Sequence, residues 1–435
     1  MSTYSETVKE KLNEIIKKIQ QSPNSFVKNP GKDFSRDSKL GLAQMMHLIL
    51  SMSSHSLNNE LLQYFNYDEK TATASAFVQQ REKILPSAFK FLFHQFTDSF
   101  PNLKTFEGFR LLADDGSSLN IAYNPKDSDT FFPGTTGAKG FNQLHLNAMF
   151  DICNKIHVDA IVQPGRKANE SGALTEMVDR SNIEGDVILL ADRGYEGYNV
   201  FAHLEEKGWH YAIRVKDVAS NGILGGLKLP DKDEFDTTLR LTLTRKKTNA
   251  VKRQPDIYRI LKKNTTFDYL EENEFYNISL RIVRFRLTDD SYECIITNLD
   301  PFRFPPQKIK RLYFMRWGIE TSFRELKYTI GLSCFHAKKT NSITQEIFAR
   351  LTMYNFCELI TMNVVVTKKD TKHVYQVNFT AAIWICRNFF RYQGNGNPPA
   401  VETLILRYIL PVRPGRKDPR KVRSKSTVCF NYRVA

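Results

Sequence analysis

Four residues in the stretch LYFMRWGIETSFRELK, from Leu312 to Lys327, carry side chains that together suit phosphoryl chemistry. Tyr313, Arg316, Glu320 and Lys327 follow the spacing Y-x2-R-x3-E-x6-K. On a helix, Arg316 and Glu320 stand i,i+4 on one face, and Tyr313 and Lys327 extend the same stripe a turn before and two turns after. An acid flanked by two cations and a phenol can hold a metal ion and an anionic phosphate together. The plainer alternative is a surface helix laced with i,i+4 ion pairs. Metal-binding carboxylates elsewhere in the chain decide between them.

Two upstream segments offer such carboxylates. In GFRLLADDGSSLNIAY, residues 108 to 123, an apolar run reaches Asp114-Asp115-Gly116-Ser117-Ser118 and then resumes. In GDVILLADRGYEGYNVF, residues 185 to 201, the unbroken run Val187 to Ala191 ends in Asp192-Arg193-Gly194-Tyr195. A continuous apolar run reads as a strand buried on both faces, with helices on either side of its sheet. Ligands gather beyond the carboxyl ends of such strands, which is where Asp192 falls. Taken singly, Asp-x-Gly after a strand is a turn signal. Both segments together with the 312–327 stretch carry more.

With these residues the chain resembles a DDE transposase of the bacterial insertion-sequence 4 family, over roughly residues 105 to 365. The Y-R-E-K spacing is met without gaps, and the two aspartate motifs are the looser match. The resemblance makes Asp115, Asp192 and Glu320 the catalytic, metal-binding acids; Asp115 is preferred to Asp114 because it directly precedes Gly-Ser. It makes Tyr313, Arg316, Lys327 and Arg193 the residues expected to meet DNA. It further implies an α/β fold: a ribonuclease-H-like catalytic core interrupted by a mainly β insertion, with a helical N-terminal domain. The activity implied is cut-and-paste transposition. Each element end is cleaved and its 3'-hydroxyl joined to target DNA, with double-stranded DNA as partner and a homodimer in the DNA complex. The chemistry agrees with the donor types. Cleaving a phosphodiester needs an activated water, a stabilised leaving oxygen and neutralised charge. Two Mg2+ ions, with Mn2+ able to substitute, meet those needs and prefer carboxylate oxygens. Arg316 offers a fork to phosphate and Lys327 a point charge.

Composition agrees with a polyanionic partner. The chain has 435 residues, net charge +15 and a pI near 9.4. Eight Lys or Arg against one Asp crowd the tail from Arg413 to Arg433, and the same count recurs from Arg245 to Lys263. Either could follow a phosphate backbone. Six scattered cysteines without a C-x-x-C pair argue against a zinc ribbon or a disulfide framework and for a reducing compartment. The opening MSTYSETVKEKLNEII lacks a signal peptide's apolar core, so a cytoplasmic, nucleoid-associated protein is expected. Ile347 to Val366 is apolar but interrupted by Arg350 and Glu358, which reads as a buried helix and not a membrane span. The nine histidines form no ligand spacing and read as structural or surface residues.

The elements that must position the acids follow from periodicity. Residues 1–104 read as helical, a candidate DNA-binding domain that could hold a helix-turn-helix. Residues 105–216 begin the core with strands Phe109–Ala113, Leu119–Tyr123, His145–Asp151, His157–Val162, Val187–Ala191 and Tyr211–Val215, and helices over Leu174–Arg180 and Tyr198–Lys207. Residues 217–304 read as the β insertion, 305–368 as the return of the core with a long helix from Ile343, and 369–435 as a helical segment and basic tail. Some family members stack a flipped base on a tryptophan of the insertion. This chain has none there, so Tyr258, Phe267, Tyr269 or Phe275 would have to serve, and Trp317 reads as a packing residue. A nuclease that cuts without joining, and a catalytically dead DNA-binding descendant, are the competing readings.

Overall fold

A computed structural model describes residues 3–412, apart from 102, 136, 138, 219, 271–274, 290, 365–373 and 393–398. The basic tail from Arg413 onward therefore lies outside the described residues. The chain opens with five helices: α1 (Tyr4–Gln21), α2 (Leu42–Ser51), α3 (Leu57–Tyr64), α4 (Ala74–Arg81) and α5 (Pro86–Asp98). Local chemistry sets their starts. Thr3 and Glu6 form a capping box on α1, Thr73 caps α4, and Pro86 occupies the first turn of α5, where its missing N–H costs nothing.

A ten-stranded sheet follows, built from β1 (Arg110–Ile121), β2 (Phe131–Phe132), β3 (Phe141–Asp151), β4 (Ile156–Pro164), β5 (Val187–Ala191), β6 (His210–Val215), β7 (Phe235–Thr244), β8 (Tyr258–Ile260), β9 (Tyr276–Thr288) and β10 (Ser291–Thr297). Helices α6 (Glu170–Arg180) and α7 (Tyr198–Glu206) connect β4 to β5 and β5 to β6, and a short α8 (Asn249–Lys252) precedes β8. The spatial order is β4-β3-β1-β5-β6-β10-β9-β7-β8, with the short β2 also pairing β3. β1, β3 and β4 run antiparallel, and β5 and β6 run parallel to β1. β10 then pairs antiparallel with β6, so the strands between 217 and 304 extend the same sheet edge to edge. The chain returns through α9 (Pro306–Phe314), α10 (Trp317–Glu325) and the 22-residue α11 (Thr340–Thr361). It continues through a two-residue strand β11 (Tyr375–Gln376), α12 (Phe379–Arg391), α13 (Val401–Arg407) and β12 (Leu410–Pro411), which pairs with β11.

Strand alternation sends successive side chains to two cores. Leu111, Ala113, Ile188, Leu190 and Ala212 pack with the N-terminal helices and α11, whereas Leu112, Val187, Leu189, Ala191 and Ile213 pack with α6 and α7. Helices thus cover both faces of a buried sheet, in a mixed α/β architecture. α11 is buried on nearly its whole circumference, as its apolar length predicts. Among the described residues no helix is long and apolar enough to cross a membrane.

Two expectations need correction. Phe109–Ala113 and Leu119–Tyr123 are not separate strands, because β1 runs unbroken through Asp114–Ser118. β3 pairs with it residue by residue from Leu112↔Asp151 to Ile121↔Asn142, and this ladder overrides the turn tendency of Asp-Gly-Ser. Nor is the 312–327 stretch one helix. Met315, Arg316, Gly318 and Ile319 each donate to the residue three before, a 3₁₀ tightening that divides α9 from α10. A single π turn, Leu326–Ile330, then follows α10 and ends at Gly331, whose φ of +95° suits glycine.

Candidate active site

Three acids reach one face of the sheet. On β1, Asp115 shares its side with Leu111 and Ala113, toward the layer that contains α10. Asp192 directly follows β5 and caps the turn Arg193–Tyr195, accepting from the Arg193 amide. Glu320 stands in the first turn of α10. Arg316, buried to 2 % exposure just before that helix, lies among them. Its Nη2 donates to Glu320 Oε1 at 2.8 Å, and its Nη1 is 3.8 Å from Asp115 Oδ2. Asp192 feels its charge as well. Two Arg316 donors, Nε and Nη1, complete no hydrogen bond among the described residues.

Each acid keeps one oxygen uncommitted. Asp115 Oδ1 accepts the Gly116 amide at 2.8 Å, leaving Oδ2 with only the long ion pair to Arg316. Asp192 Oδ1 takes Arg214 Nε at 2.9 Å and Nη2 at 2.7 Å besides the Arg193 amide, and Oδ2 accepts no hydrogen bond among the described residues. Glu320 Oε2 is likewise without a hydrogen bond there. These are hard oxygen donors of the kind Mg2+ and Mn2+ prefer. Their mutual repulsion marks a place that demands positive charge. Burial, with Glu320 and Glu170 adding to it, pushes the Asp115 carboxyl up to about 6 against the opposing Gly116 amide and Arg316. For Asp192 burial also works upward, but the Arg193 amide, Arg214 and Arg316 outweigh it and hold the carboxyl below its usual range. Among the described residues, no group of three or more His, Cys, Asp or Glu side chains stands close enough to hold a metal ion as arranged. The donor set fits a divalent cation in type; guanidinium groups now supply the compensating charge.

The remaining sequence candidates divide. Tyr313, at the end of α9, is 2 % exposed and its hydroxyl finds no hydrogen-bond partner among the described residues. Burial pushes it up to about 12, with Arg316 and Arg214 opposing and Asp192 reinforcing. Lys327 does not join the stripe expected of one helix. The π turn carries it to β1, where Nζ donates to the Ser118 carbonyl at 3.1 Å. Arg193 is exposed, and its amide donates to Asp192. Trp317 is not a packing residue: it is 54 % exposed, with the Arg316 guanidinium 5.4 Å from its ring. Among the alternative stacking residues, Phe267 is buried in the second core, whereas Phe275 is exposed with Lys246 over its ring at 5.1 Å.

Strand alternation also sorts the adjacent aspartates. Asp114 faces the α6–α7 side, fully buried. The Tyr195 phenol lies beside it and works against the shift, but burial pushes this carboxyl well above the usual range. Two more participants escaped the sequence reading. Arg214 interrupts the apolar β6, and a lone cation in such a strand was the available signal. Glu170, at the start of α6, carries no motif of its own.

The family model of the transposase DDE domain matches residues 108–356, more than half of the chain and every element that carries these acids. Among curated proteins none matches significantly. A solved cryo-EM structure of the piggyBac transposase synaptic complex with hairpin DNA is similar at a TM-score of 0.44 and 12 % identity, over 93 % of this chain and 84 % of that one. Enzymes of the matched family generally use divalent metal ions. On the strength of that match over the acid-bearing core, the chain belongs to the DDE transposases.

Proposed function

We propose that this DDE transposase is a cut-and-paste enzyme of the insertion-sequence 4 type, with Asp115, Asp192 and Glu320 as its catalytic acids. The observation that carries the reading is the meeting of three elements, β1, the end of β5 and α10, around Arg316, each acid retaining a free oxygen. The strand order, three antiparallel strands followed by two parallel ones, supports a ribonuclease-H-like core over 105–216 and 305–368. The domain reading adds 1–104 for recognition of DNA ends, 217–304 as the insertion and 369–435 with its basic tail.

In the first step water attacks the phosphorus at an element end and the 3'-oxygen leaves, giving a 3'-hydroxyl and a 5'-phosphate. In the second, that 3'-hydroxyl attacks a target phosphodiester, displaces the target's own 3'-oxygen and becomes joined. Bound Mg2+ or Mn2+, in two sites, supplies activation of the attacking oxygen and stabilisation of the leaving one. Asp115, Asp192 and Glu320 would hold it through their uncommitted oxygens. Arg316 offers its unpaired Nε and Nη1 to a phosphate oxygen drawn into the site. Lys327 steadies the strand beside Ser118, and Tyr313 and Arg193 flank the acids, one beneath and one at the surface. Double-stranded DNA, as element ends and target, is the partner, held by a homodimer.

The test is a strand-cleavage and strand-transfer assay on terminal DNA with Mg2+, comparing wild type with Glu320→Ala. Metal-dependent cuts at the end, joined products and their loss in the variant are expected. Cuts without joining would convert the reading to a nuclease. Tight binding without any cutting by the wild type would leave a DNA-binding protein.

A further inference from the structure

Glu170 lies beside both aspartate segments, although it approaches from the α6 side of the sheet. Asn169 caps α6 and sets Glu170 in the first turn. From there Oε1 stands 2.9 Å from His145 Nε2 on β3. A methyl group placed on Gly116 would lie 2.3 Å from Glu170 Oε1 and 2.4 Å from His145 Nε2, and one placed on Gly194 would lie 3.5 Å from Glu170 Oε2. Both glycines sit within two residues of a candidate metal-binding acid. The missing side chain of Gly116 makes the space into which the Glu170 carboxylate fits, and Gly194 lies at ordinary contact distance on its other side.

We infer that Glu170 is a positioning residue of the cleavage centre: seated in the space that Gly116 leaves open and reaching Gly194, it sets the spacing of the Asp115 and Asp192 segments, and its charge raises their affinity for divalent cation. The inference rests on the proposed metal-dependent reading of that site. As a mere spacer, a neutral amide of the same shape would serve better, since a carboxylate here repels Asp114, Asp115 and Asp192. The close polar partner of this carboxylate among the described residues is the His145 imidazole. Asp114, fully buried beside the Tyr195 phenol, is held well above the usual carboxylate range by burial, with Glu170 adding to it. Binding a cation at the neighbouring acids turns the repulsion into attraction, so the cost in the metal-free chain becomes a gain on loading.

The experiment uses the full chain with Mn2+ as probe. Mn2+ affinity is read by electron paramagnetic resonance without DNA, and the Mg2+ concentration for half-maximal cleavage is read separately from the maximal rate. Glu170→Gln is expected to weaken Mn2+ binding about tenfold and raise the Mg2+ requirement equally, the lost cleavage returning at high Mg2+ and the melting temperature unchanged. Gly116→Ala, which pushes the Glu170 carboxylate aside, should reproduce the shift and add nothing to Glu170→Gln in the double variant. Unaltered Mn2+ affinity in Glu170→Gln overturns the inference, whatever happens to cleavage. Asp192→Asn separates the two levels. If it loses Mn2+ while Glu170→Gln does not, only the role of Glu170 falls; if the wild type neither binds Mn2+ nor cuts, the reading of the site falls with it.

Discussion

Arg316 is the residue on which the site's charge balance turns. It is buried, it bonds Glu320 directly, and it faces Asp115 with donors left over. Arg316→Ala should leave acids that only a cation can reconcile. Its melting temperature without metal should fall, and saturating Mg2+ should raise it by more than it raises the wild type. Equal Mg2+ increments in both proteins, measured by thermal unfolding, would dismiss this role. Arg214 acts one step further out, fixing Asp192 Oδ1 so that Oδ2 keeps its direction. Arg214→Ala should slow single-turnover cleavage by roughly 10–100-fold, in line with removing the partner of a metal-binding group. At this scale the sequence was informative where chemistry is carried by type and spacing. Glu320 and Arg316 meet because the i,i+4 spacing survives the 3₁₀ tightening at Arg316, and Asp192 stands where an apolar strand must end. Glu170 was not legible, and Arg214 showed only as a lone cation in an apolar strand, since the partners of both come from the packing of α6 and β6 beside distant strands.

Among the elements, the long α11 joins the N-terminal helices to the rest. Arg81 on α4 donates to Glu346 at 2.8 Å and to Gln345 at 2.9 Å, with all three side chains buried. Arg81→Ala removes one partner of a buried pair and should cost about 3 kcal/mol, somewhat eased because Glu346 keeps Arg350 and His336. Denaturant unfolding would show it, and a loss below about 1 kcal/mol would mean that α4 docks by apolar contact alone. The same helix carries Glu358, whose carboxyl burial pushes up to about 8, Lys155 opposing and Glu325 adding to it. An unfolded glutamate titrates near 4.5. Between these values the folded chain keeps a proton that the unfolded chain has lost, so this group's contribution falls as pH rises from about 4.5 to 8. Glu358→Gln should therefore match the wild type at the acid end and melt a few degrees higher at pH 8. A Tm difference independent of pH would show that Glu358 does not titrate in that window. Periodicity revealed α11, but not the 3₁₀ break and π turn around α10. Those depend on where Arg316 and Lys327 must reach, which no local preference encodes.

For the whole molecule the charge of +15 sets the expectation. Binding to duplex DNA should weaken steeply with salt, by about 10³-fold or more between roughly 50 and 200 mM if six or more phosphates are contacted. Chelating divalent metal should abolish cutting and leave that binding intact; a filter-binding titration with EDTA checks the binding, and denaturing-gel analysis of the same samples checks the cutting. A salt-insensitive affinity would contradict the electrostatic basis of the partner assignment. Strand content between 217 and 304 was readable from alternation, but its continuity with the core sheet was not. Edge pairing of β10 with β6 joins residues some eighty positions apart, and nothing in either strand names its neighbour.

The shared core of the N-terminal helices and α11 has a consequence for how the polypeptide is made. Phe89, Phe93 and Phe96 on α5 are wholly buried, with Phe93 against Phe348 and Phe96 against Phe356 of α11. At translation rates of roughly 5–20 residues per second, the ribosome needs some ten to fifty seconds to deliver α11 after α5 has emerged. Throughout that interval the face of α5 that α11 covers stays open, although α1 can already pack beside it. Slower elongation or a shortage of holdase chaperones should therefore lower the yield of soluble enzyme more than it lowers synthesis itself.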